Sequence, residues 1–401
     1  MSSTLEVRAD DPIRADVARE LIDALPYTGP GTLAGRYMRR FWQPVYRSRD
    51  LEPGRLTAVT IMSEQFTLYR GETGEPHLVD HRCPHRGTQL SVGFVEGDAV
   101  RCLYHGWKFD GGGACIERPG EPSDGARGHI RIGAFPVGEF MGLIWVYLGE
   151  GEPPAFPPFP EIEGDGVVEC FRQHFPCNYF QSTENDWDLF HAAFTHRTGG
   201  IHNLDFRRIA EYETCEETDY GIVRRSIGPN NAPIVSVLFM PTALRFFLPG
   251  NNEVARSGLG PELRPAYGVT VPIDDENCYF YITELVKVAG EERAEYLERF
   301  PDVQAFRDTH PTPIEIARRI LETPASVLDF KDHAATVAIE DICAQGGQGR
   351  VADRRRERLG ASDRCLVFMR RIWQRELLAL RDGRPTKNWA RMNAMPEGFS
   401  G

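Results

Sequence analysis

Two short stretches each set a cysteine beside a histidine. "CPHRG" runs from Cys83 to Gly87, and "CLYHGWKFDG" from Cys102 to Gly111. Cys83-x-His85, sixteen residues, then Cys102-x-x-His105 supply two thiols and two imidazoles from two glycine-bounded loops. A structural zinc takes such a set, but its usual pattern keeps like ligands together, Cys-x-x-Cys and then His-x-x-x-His. Here each loop contributes one of each. That alternation suits a binuclear iron–sulfur centre in which one iron takes both thiolates and the other both imidazoles. Histidine ligation raises the potential of such a centre above that of an all-cysteine cluster. Gly87, Gly106 and Gly111 let backbone amides approach bridging sulfides, and Pro84 and Trp107 stiffen and shield the loops.

A second constellation is "STENDWDLFHAAFTHRTGG", Ser182 to Gly200. Thr183 with Asp186 resembles a capping box and Gly199–Gly200 a stop, so most of the stretch is predicted helical. Trp187, Leu189, Phe190, Ala192, Ala193 and Phe194 make it apolar nearly all round, as in a buried helix. Yet Glu184, Asn185, Asp188, His191 and Thr195 form one polar stripe. A buried carboxylate beside a buried imidazole is costly unless paired or metal-bound. Two histidines and a carboxylate are what a mononuclear non-haem Fe(II) centre requires, with positions left open for O2. His191 and His196 lie about 140° apart on an ideal helix, so they share a metal only if the helix ends or widens near Thr195. The bland alternative is a satisfied polar network in a core. The carboxylate must come from elsewhere: Glu340 and Asp341 sit in an apolar helical run, "TVAIEDICAQGGQGR", and Asp188 is a third candidate. Spacing does not choose among them.

The elements that must position these groups follow from periodicity. Ile13, Val17, Leu21 and Leu25 make one helical stripe, ended by Pro26. From residue 56 come short β runs separated by Gly and Asp turns, and then a proline-rich connector, Gly149 to Gly164. Alternating segments such as "VSVLFM" and "CYFYITELVKV" read as antiparallel strands. A last helix begins after Gly360 with a Ser362 cap and stops before Gly383. The expected fold class is α+β: 1–35 an N-terminal helix and connector, 36–150 an all-β cluster domain, and 151–401 a catalytic domain. A net charge of −12 over 401 residues disfavours nucleic-acid or anionic-membrane partners. There is no apolar run of about eighteen residues and no signal-peptide pattern. Nine cysteines, an odd count without paired spacing, fit a reducing cytoplasm rather than a disulfide framework, so the expected location is cytoplasmic.

With both constellations in hand, the chain resembles the Rieske non-haem iron aromatic-ring oxygenases, specifically catalytic subunits similar to phthalate dioxygenase. The resemblance runs from "TGPGTLAGRYMRRFWQPV" through both cluster loops and "ENDWDLFHAAFTH" to "IEDICAQGGQG" and "ADRRRERLGASDRCLVFMRR". It implies that Cys83 and Cys102 bind one iron of a [2Fe–2S] cluster and His85 and His105 the other. His191, His196 and Asp341 would bind the mononuclear Fe(II). Gly346, where relatives often carry an acidic residue, departs from the pattern. The resemblance further implies that Asp188 bridges a cluster histidine of a neighbouring subunit to His191, in a head-to-tail homotrimer or hexamer. The catalytic domain would be a helix-grip fold, an antiparallel sheet wrapped around helices.

Two electrons besides those of substrate are needed to activate O2, and the chain has no dinucleotide site: "GPGTLAG" lacks the fingerprint and follows no strand. A separate NAD(P)H reductase of flavin and ferredoxin type is therefore expected. Relatives act on small aromatic carboxylates or aryl methyl ethers, by dihydroxylation, monooxygenation or O-demethylation. Arg207, Arg208 and Arg245 are in the right region for a carboxylate anchor, though none is assigned. Loops near residues 200–265 are expected to form the pocket mouth, and "RVADRRRER" a solvated basic segment or subunit contact. His174, His202, His310 and His333 have no spacing partner. The competing function is a Rieske electron carrier whose second domain only binds, and the histidine helix distinguishes the two.

Overall fold

The computed structural model describes residues 13–121, 129–159, 165–197, 211–227, 233–248, 264–299, 308, 310–333 and 335–392. Three small antiparallel sheets come first. Trp42–Arg47 pairs with Leu143–Tyr147, and that strand with Val137–Phe140. Leu56–Ile61, Glu64–Arg70, Pro76–Asp80 and Ala134–Phe135 form a second sheet, and Phe94–Glu96, Ala99–Arg101, Lys108–Asp110 and Cys115–Glu117 a third. One cluster loop leaves the second sheet after Asp80. The other, Cys102 to Trp107, is the hairpin connection between Ala99–Arg101 and Lys108–Asp110.

The second half is built on a seven-stranded antiparallel sheet. Val167–Phe175 pairs with the last strand, Cys278–Val286; from there Arg264–Pro272, Ala243–Leu248, Pro233–Phe239, Gly221–Ile227 and Thr214–Glu217 follow outward. Between the first strand and the rest the chain inserts the histidine-bearing helices, which lie against one sheet face. Thr270 Oγ1 donates to Asp186 Oδ2 at 2.9 Å across that contact. The α+β class, with β sheets first and then helices on an antiparallel sheet, matches expectation.

The expected helix of residues 182–200 is two helices. Tyr179–Trp187 begins earlier, capped by Asn178, whose Oδ1 accepts from Phe180 N at 3.0 Å. Thr183 is no cap: its hydroxyl donates back to Tyr179 O at 3.0 Å. Asp188 leaves helical geometry and caps the second helix, Leu189–Thr195. The Asn178 amide also donates to Pro26 O and Asp275 O, at 2.8 and 2.7 Å, fixing the helix start to the N-terminal connector.

Leu21 and Leu25, the buried end of the predicted N-terminal stripe, face the C-terminal helix Arg364–Arg381, whose Gln374 donates to Ala18 O at 2.8 Å. That helix follows Asp363; Ser362 lies in a short 3-10 turn and makes no cap. The proline-rich connector is not loose where it is described. Pro154 O accepts from Trp42 Nε1 at 2.9 Å, and Phe159 stacks on Tyr267 at 5.2 Å. One core therefore runs from Trp42 and Trp145 through Phe159 to Tyr267 and Trp373, each large side chain adding about 1.5–3 kcal/mol of burial. "RVADRRRER" is also not simply solvated, because Arg354 is buried against Glu184 at 2.6 Å. Glu184 takes Arg370 at 2.6 Å as well. Burial alone would raise the Glu184 carboxyl, but the two guanidinium groups hold it below the usual range.

Contrary to the reading of the cysteines, Cys215 and Cys365 form a disulfide across 150 residues of sequence. It joins the edge strand Thr214–Glu217 to the start of the C-terminal helix. Replacing both cysteines with serine is expected to lower unfolding stability by about 2–5 kcal/mol, seen as a drop in the urea midpoint. A reducing agent should lower the wild-type midpoint similarly and leave the variant unmoved.

Candidate active site

The two cluster loops are built alike. Gly87 N donates to Cys83 O at 2.9 Å and Gly106 N to Cys102 O at 3.1 Å, each closing a tight turn. Both glycines have positive φ, +77° and +73°, which a side chain would strain. The result buries Cys83 and Cys102 and leaves His85 exposed. The His85 and His105 rings are 4.5 Å apart, and Trp107 stacks on His85 at 4.8 Å with parallel planes. Burial pushes the Cys83 thiol up to about 11, and the adjacent Cys102 sulfur adds to the rise against the lowering effect of the His85 N–H. Desolvation, then His85 and Arg86, hold His105 below its ordinary value, so its imidazole is neutral at pH 7. Two buried sulfurs in mutual contact and two facing imidazoles at the rim fit a [2Fe–2S] group held half by thiolate and half by histidine.

In the second half the chain brings His191, His196 and Asp341 together, with one donor atom of each within 4.8 Å of the others. The helix ends at Thr195, and His196 sits in the C-cap with φ −96° and ψ 22°. That departure brings the two imidazoles, five apart in sequence, to 5.4 Å between centroids. Asp341 comes from the helix Thr336–Gly346. Its Oδ1 lies 3.4 Å from His196 Nε2 and 3.8 Å from His191 Nε2.

The three candidate carboxylates take different places. Asp341 faces both histidines. Glu340 reaches the other nitrogen of His196, Oε2 to Nδ1 at 3.1 Å. Asp188 meets His191 through its main chain: His191 Nδ1 donates to Asp188 O at 2.6 Å, while the Asp188 carboxylate caps Phe190 N at 2.8 Å. A carbonyl only accepts, so the His191 proton is on Nδ1 and Nε2 carries the lone pair that a metal would take. Asn185, whose Nδ2 donates to Asp341 Oδ1 at 3.1 Å and lies 3.4 Å from His191 Nε2, completes the group.

Electrostatics separate the histidines. Burial, the strongest influence, keeps His191 below its ordinary value. For His196 burial is outweighed by Asp341 and Glu340, which raise it to about 9. Burial would raise Asp341, but His196, His191 and Asn185 hold its carboxyl low, so it is ionised. Two imidazoles and one ionised carboxylate, each with a further partner, fit a non-haem Fe(II) centre. Glu340 is the residue that sequence reasoning left as a mere competitor; the only signal was its adjacency to Asp341.

The sheet face toward the helices, on the side of Thr270, also carries Phe171, Ala266, Phe280 and Ile282, interleaved with the buried Glu169, Gln173 and Glu284. A cavity of about 330 Å³ lined by Trp42, Phe159, Phe239, Val269 and Trp389 lies on the opposite face, so it is not the space before the histidines. Arg245 is on that opposite face too, 5.5 Å from the Tyr267 ring. Arg207, Arg208, His202 and much of the expected pocket mouth lie outside the described residues. His174 meets Asn277 at 3.2 Å and His310 meets Glu315 at 3.3 Å, neither near this group.

A Rieske [2Fe-2S] domain model matches residues 41–136. The chain is 29% identical over 395 residues to the 5,5'-dehydrodivanillate O-demethylase oxygenase subunit of Sphingobium sp., covering 92% of this chain and 83% of that protein. It is 28% identical over 376 residues to the phenoxybenzoate dioxygenase subunit alpha of Ectopseudomonas oleovorans, covering 88% and 84%. In fold it is similar to the terminal oxygenase of carbazole 1,9a-dioxygenase from Nocardioides aromaticivorans, with a TM-score of 0.64, 18% identity and coverage of 90% and 98%. A reduced complex between oxygenase and ferredoxin in carbazole 1,9a-dioxygenase gives a TM-score of 0.63 at 18% identity, covering 94% and 99%. Among the described residues, no helix is long and apolar enough to cross a membrane. The chain thus carries a Rieske [2Fe-2S] domain and, over most of its length, is similar to oxygenase subunits.

Proposed function

We propose that the chain is the terminal component of a multi-protein oxygenase that oxidises a small aromatic carboxylate or methoxy-arene with O2. The division of labour falls near residue 150, cluster before it and catalysis after it. Cys83, His85, Cys102 and His105 hold the [2Fe–2S] cluster, and His191, His196 and Asp341 hold a single Fe(II). When bound, the cluster supplies electrons one at a time and the single iron supplies coordination positions open to O2. The carrying observation is the convergence of His191, His196 and Asp341 donor atoms within 4.8 Å, each oriented by another residue. A pure electron carrier has no need to gather such a set.

This chain's residues prepare the chemistry. Glu340 holds the Nδ1 side of His196 and so directs Nε2 toward Asp341. The Asp188 carbonyl does the same for His191. Phe171, Ala266, Phe280 and Ile282 give an aromatic substrate apolar surface on the same sheet face as Thr270, beside the buried Glu169, Gln173 and Glu284. His85 is exposed beside the half-exposed Leu103 and Tyr104, which supports electron entry from a separate protein. That partner is proposed to be a flavin and ferredoxin reductase using NAD(P)H, and the assembly a head-to-tail trimer or hexamer. The Asp188 carboxylate would then meet a cluster histidine of the neighbouring subunit. The demethylase and dioxygenase relatives support both O-demethylation and ring dihydroxylation as reaction types.

Two experiments test this reading. His191→Ala should retain a reducible cluster and lose both the mononuclear iron and product, whereas normal oxygenation would end the catalytic reading. In single turnover of the wild type with a panel of aromatic acids, loss of a methylene mass with formaldehyde release identifies a demethylase. A gain of two oxygens and two hydrogens identifies a dihydroxylase.

Asp188→Asn keeps the main-chain oxygen and an adequate helix cap, so both metals should stay. Turnover should fall at least about tenfold; wild-type turnover would remove the carboxylate from the electron path.

Metal entry should be pH-dependent. Metal-free His196 carries a proton up to about pH 9, while His191 and Asp341 carry none near pH 7.5. Fe(II) binding to chelator-treated protein should therefore release one proton, and affinity should rise about tenfold per pH unit between about 7 and 8.5. Calorimetry in buffers of different ionisation enthalpy measures both. Release of two protons, or none, would contradict this account.

A further inference from the structure

Arg224 lies on the strand Gly221–Ile227, directly opposite Ser236 of the neighbouring strand, and is 3% exposed. A guanidinium so buried requires acceptors around it. One Nη donates to the main-chain oxygen of Trp187 and the other to Ser236 Oγ at 3.2 Å. Its central carbon stands 4.8 Å from the Trp187 ring centroid. The carbonyl it takes is one of those a helix C-terminus leaves unpaired, where positive charge is favoured.

The residue after that carbonyl matters for the metal. Asp188 turns out of the helix with φ −85° and ψ 116°, and its own oxygen accepts from His191 Nδ1 at 2.6 Å. The Trp187 indole is tied separately, Nε1 to Cys365 O at 3.1 Å. The corner between the two helices is thus gripped on its side chain by the C-terminal helix and on its backbone by the sheet. Within the corner, the grip on the backbone is the one that governs where the next peptide points. Burial lowers the Arg224 pKa while Glu213 and Asp188 oppose it, so the cation sits among the acids of this corner.

We infer that Arg224 is a positioning residue for the iron site: by clamping the Trp187 carbonyl it orients Asp188 and, through the Asp188 main-chain oxygen, the tautomer and rotation of His191. The sheet thereby reports to the metal without supplying a ligand. This inference rests on His191 being a ligand, and the experiment separates the two.

Full-length Arg224→Met and Arg224→Lys proteins with intact clusters are stripped of mononuclear metal with a chelator. They are titrated with Fe(II) anaerobically, and the Fe(II)–nitrosyl electron paramagnetic resonance spectrum is recorded. Arg224→Met is expected to weaken Fe(II) binding about tenfold or more and to change the symmetry of the nitrosyl signal. Arg224→Lys keeps the charge but cannot fork between Trp187 O and Ser236 Oγ, and should fall between. Both variants should keep the wild-type reduced-cluster signal and circular dichroism, which a general loss of structure would not. Wild-type affinity and nitrosyl spectrum in either variant overturn the inference. If His191→Ala also binds Fe(II) as wild type does, the ligand reading itself fails instead.

Discussion

Three ionisable side chains meet in one space, His196 buried and His191 and Asp341 partly buried, and much of the second half of the chain is arranged to make that tolerable. Burying imidazoles and a carboxylate without partners costs several kcal/mol each. Here every one has a second contact: His191 with the Asp188 carbonyl, His196 with Glu340, Asp341 with Asn185. Glu340 and Asp341 are consecutive on one helix, about 100° apart around its axis. His196 lies between them, so one carboxylate takes each nitrogen of its ring. That arrangement needs His196 off the helix, and the chain leaves helical geometry there.

The break at Asp188 is the second consequence. A helix continuing through Asp188 would hold that residue in helical geometry rather than at φ −85° and ψ 116°. Splitting it frees a carbonyl for His191 and gives the second helix its own cap. The corner is then held by groups far away in sequence: Arg224 from the sheet, Cys365 from the C-terminal helix. The first helix is also anchored by Glu184 to Arg354 and Arg370. Each tie makes the position of the histidines a property of the whole domain.

The cluster loops solve a different problem. They must carry charge near the surface, so they are short turns with positive-φ glycines that bury the sulfurs and leave an imidazole exposed. Few long-range contacts are needed for this, because a tight turn positions its own residues. A shared core through Trp42, Trp145, Phe159 and Tyr267 joins this half to the sheet of the other.

The same contrast decides what could be read in advance. Cys83, His85, Cys102 and His105 were legible as a set because ligand spacing within a turn is a local property. The antiparallel strands and the N-terminal stripe were legible through periodicity, which burial on one face imposes directly. The helix break was not: Asp188 reads as part of a polar stripe until the sheet and C-terminal helix hold the chain out of helical geometry. Glu340 and Asp341 were indistinguishable by type and neighbourhood, and only the approach of His196 assigns them different partners. Cys215 and Cys365 have no spacing relation, and Arg354 reads as one of a solvated basic run. The sequence by itself determined which residue types could act as ligands and the element types, since both depend on residues close along the chain. The tertiary structure alone decided which acid faces which imidazole and which cation is buried, since those energies depend on groups more than a hundred residues apart.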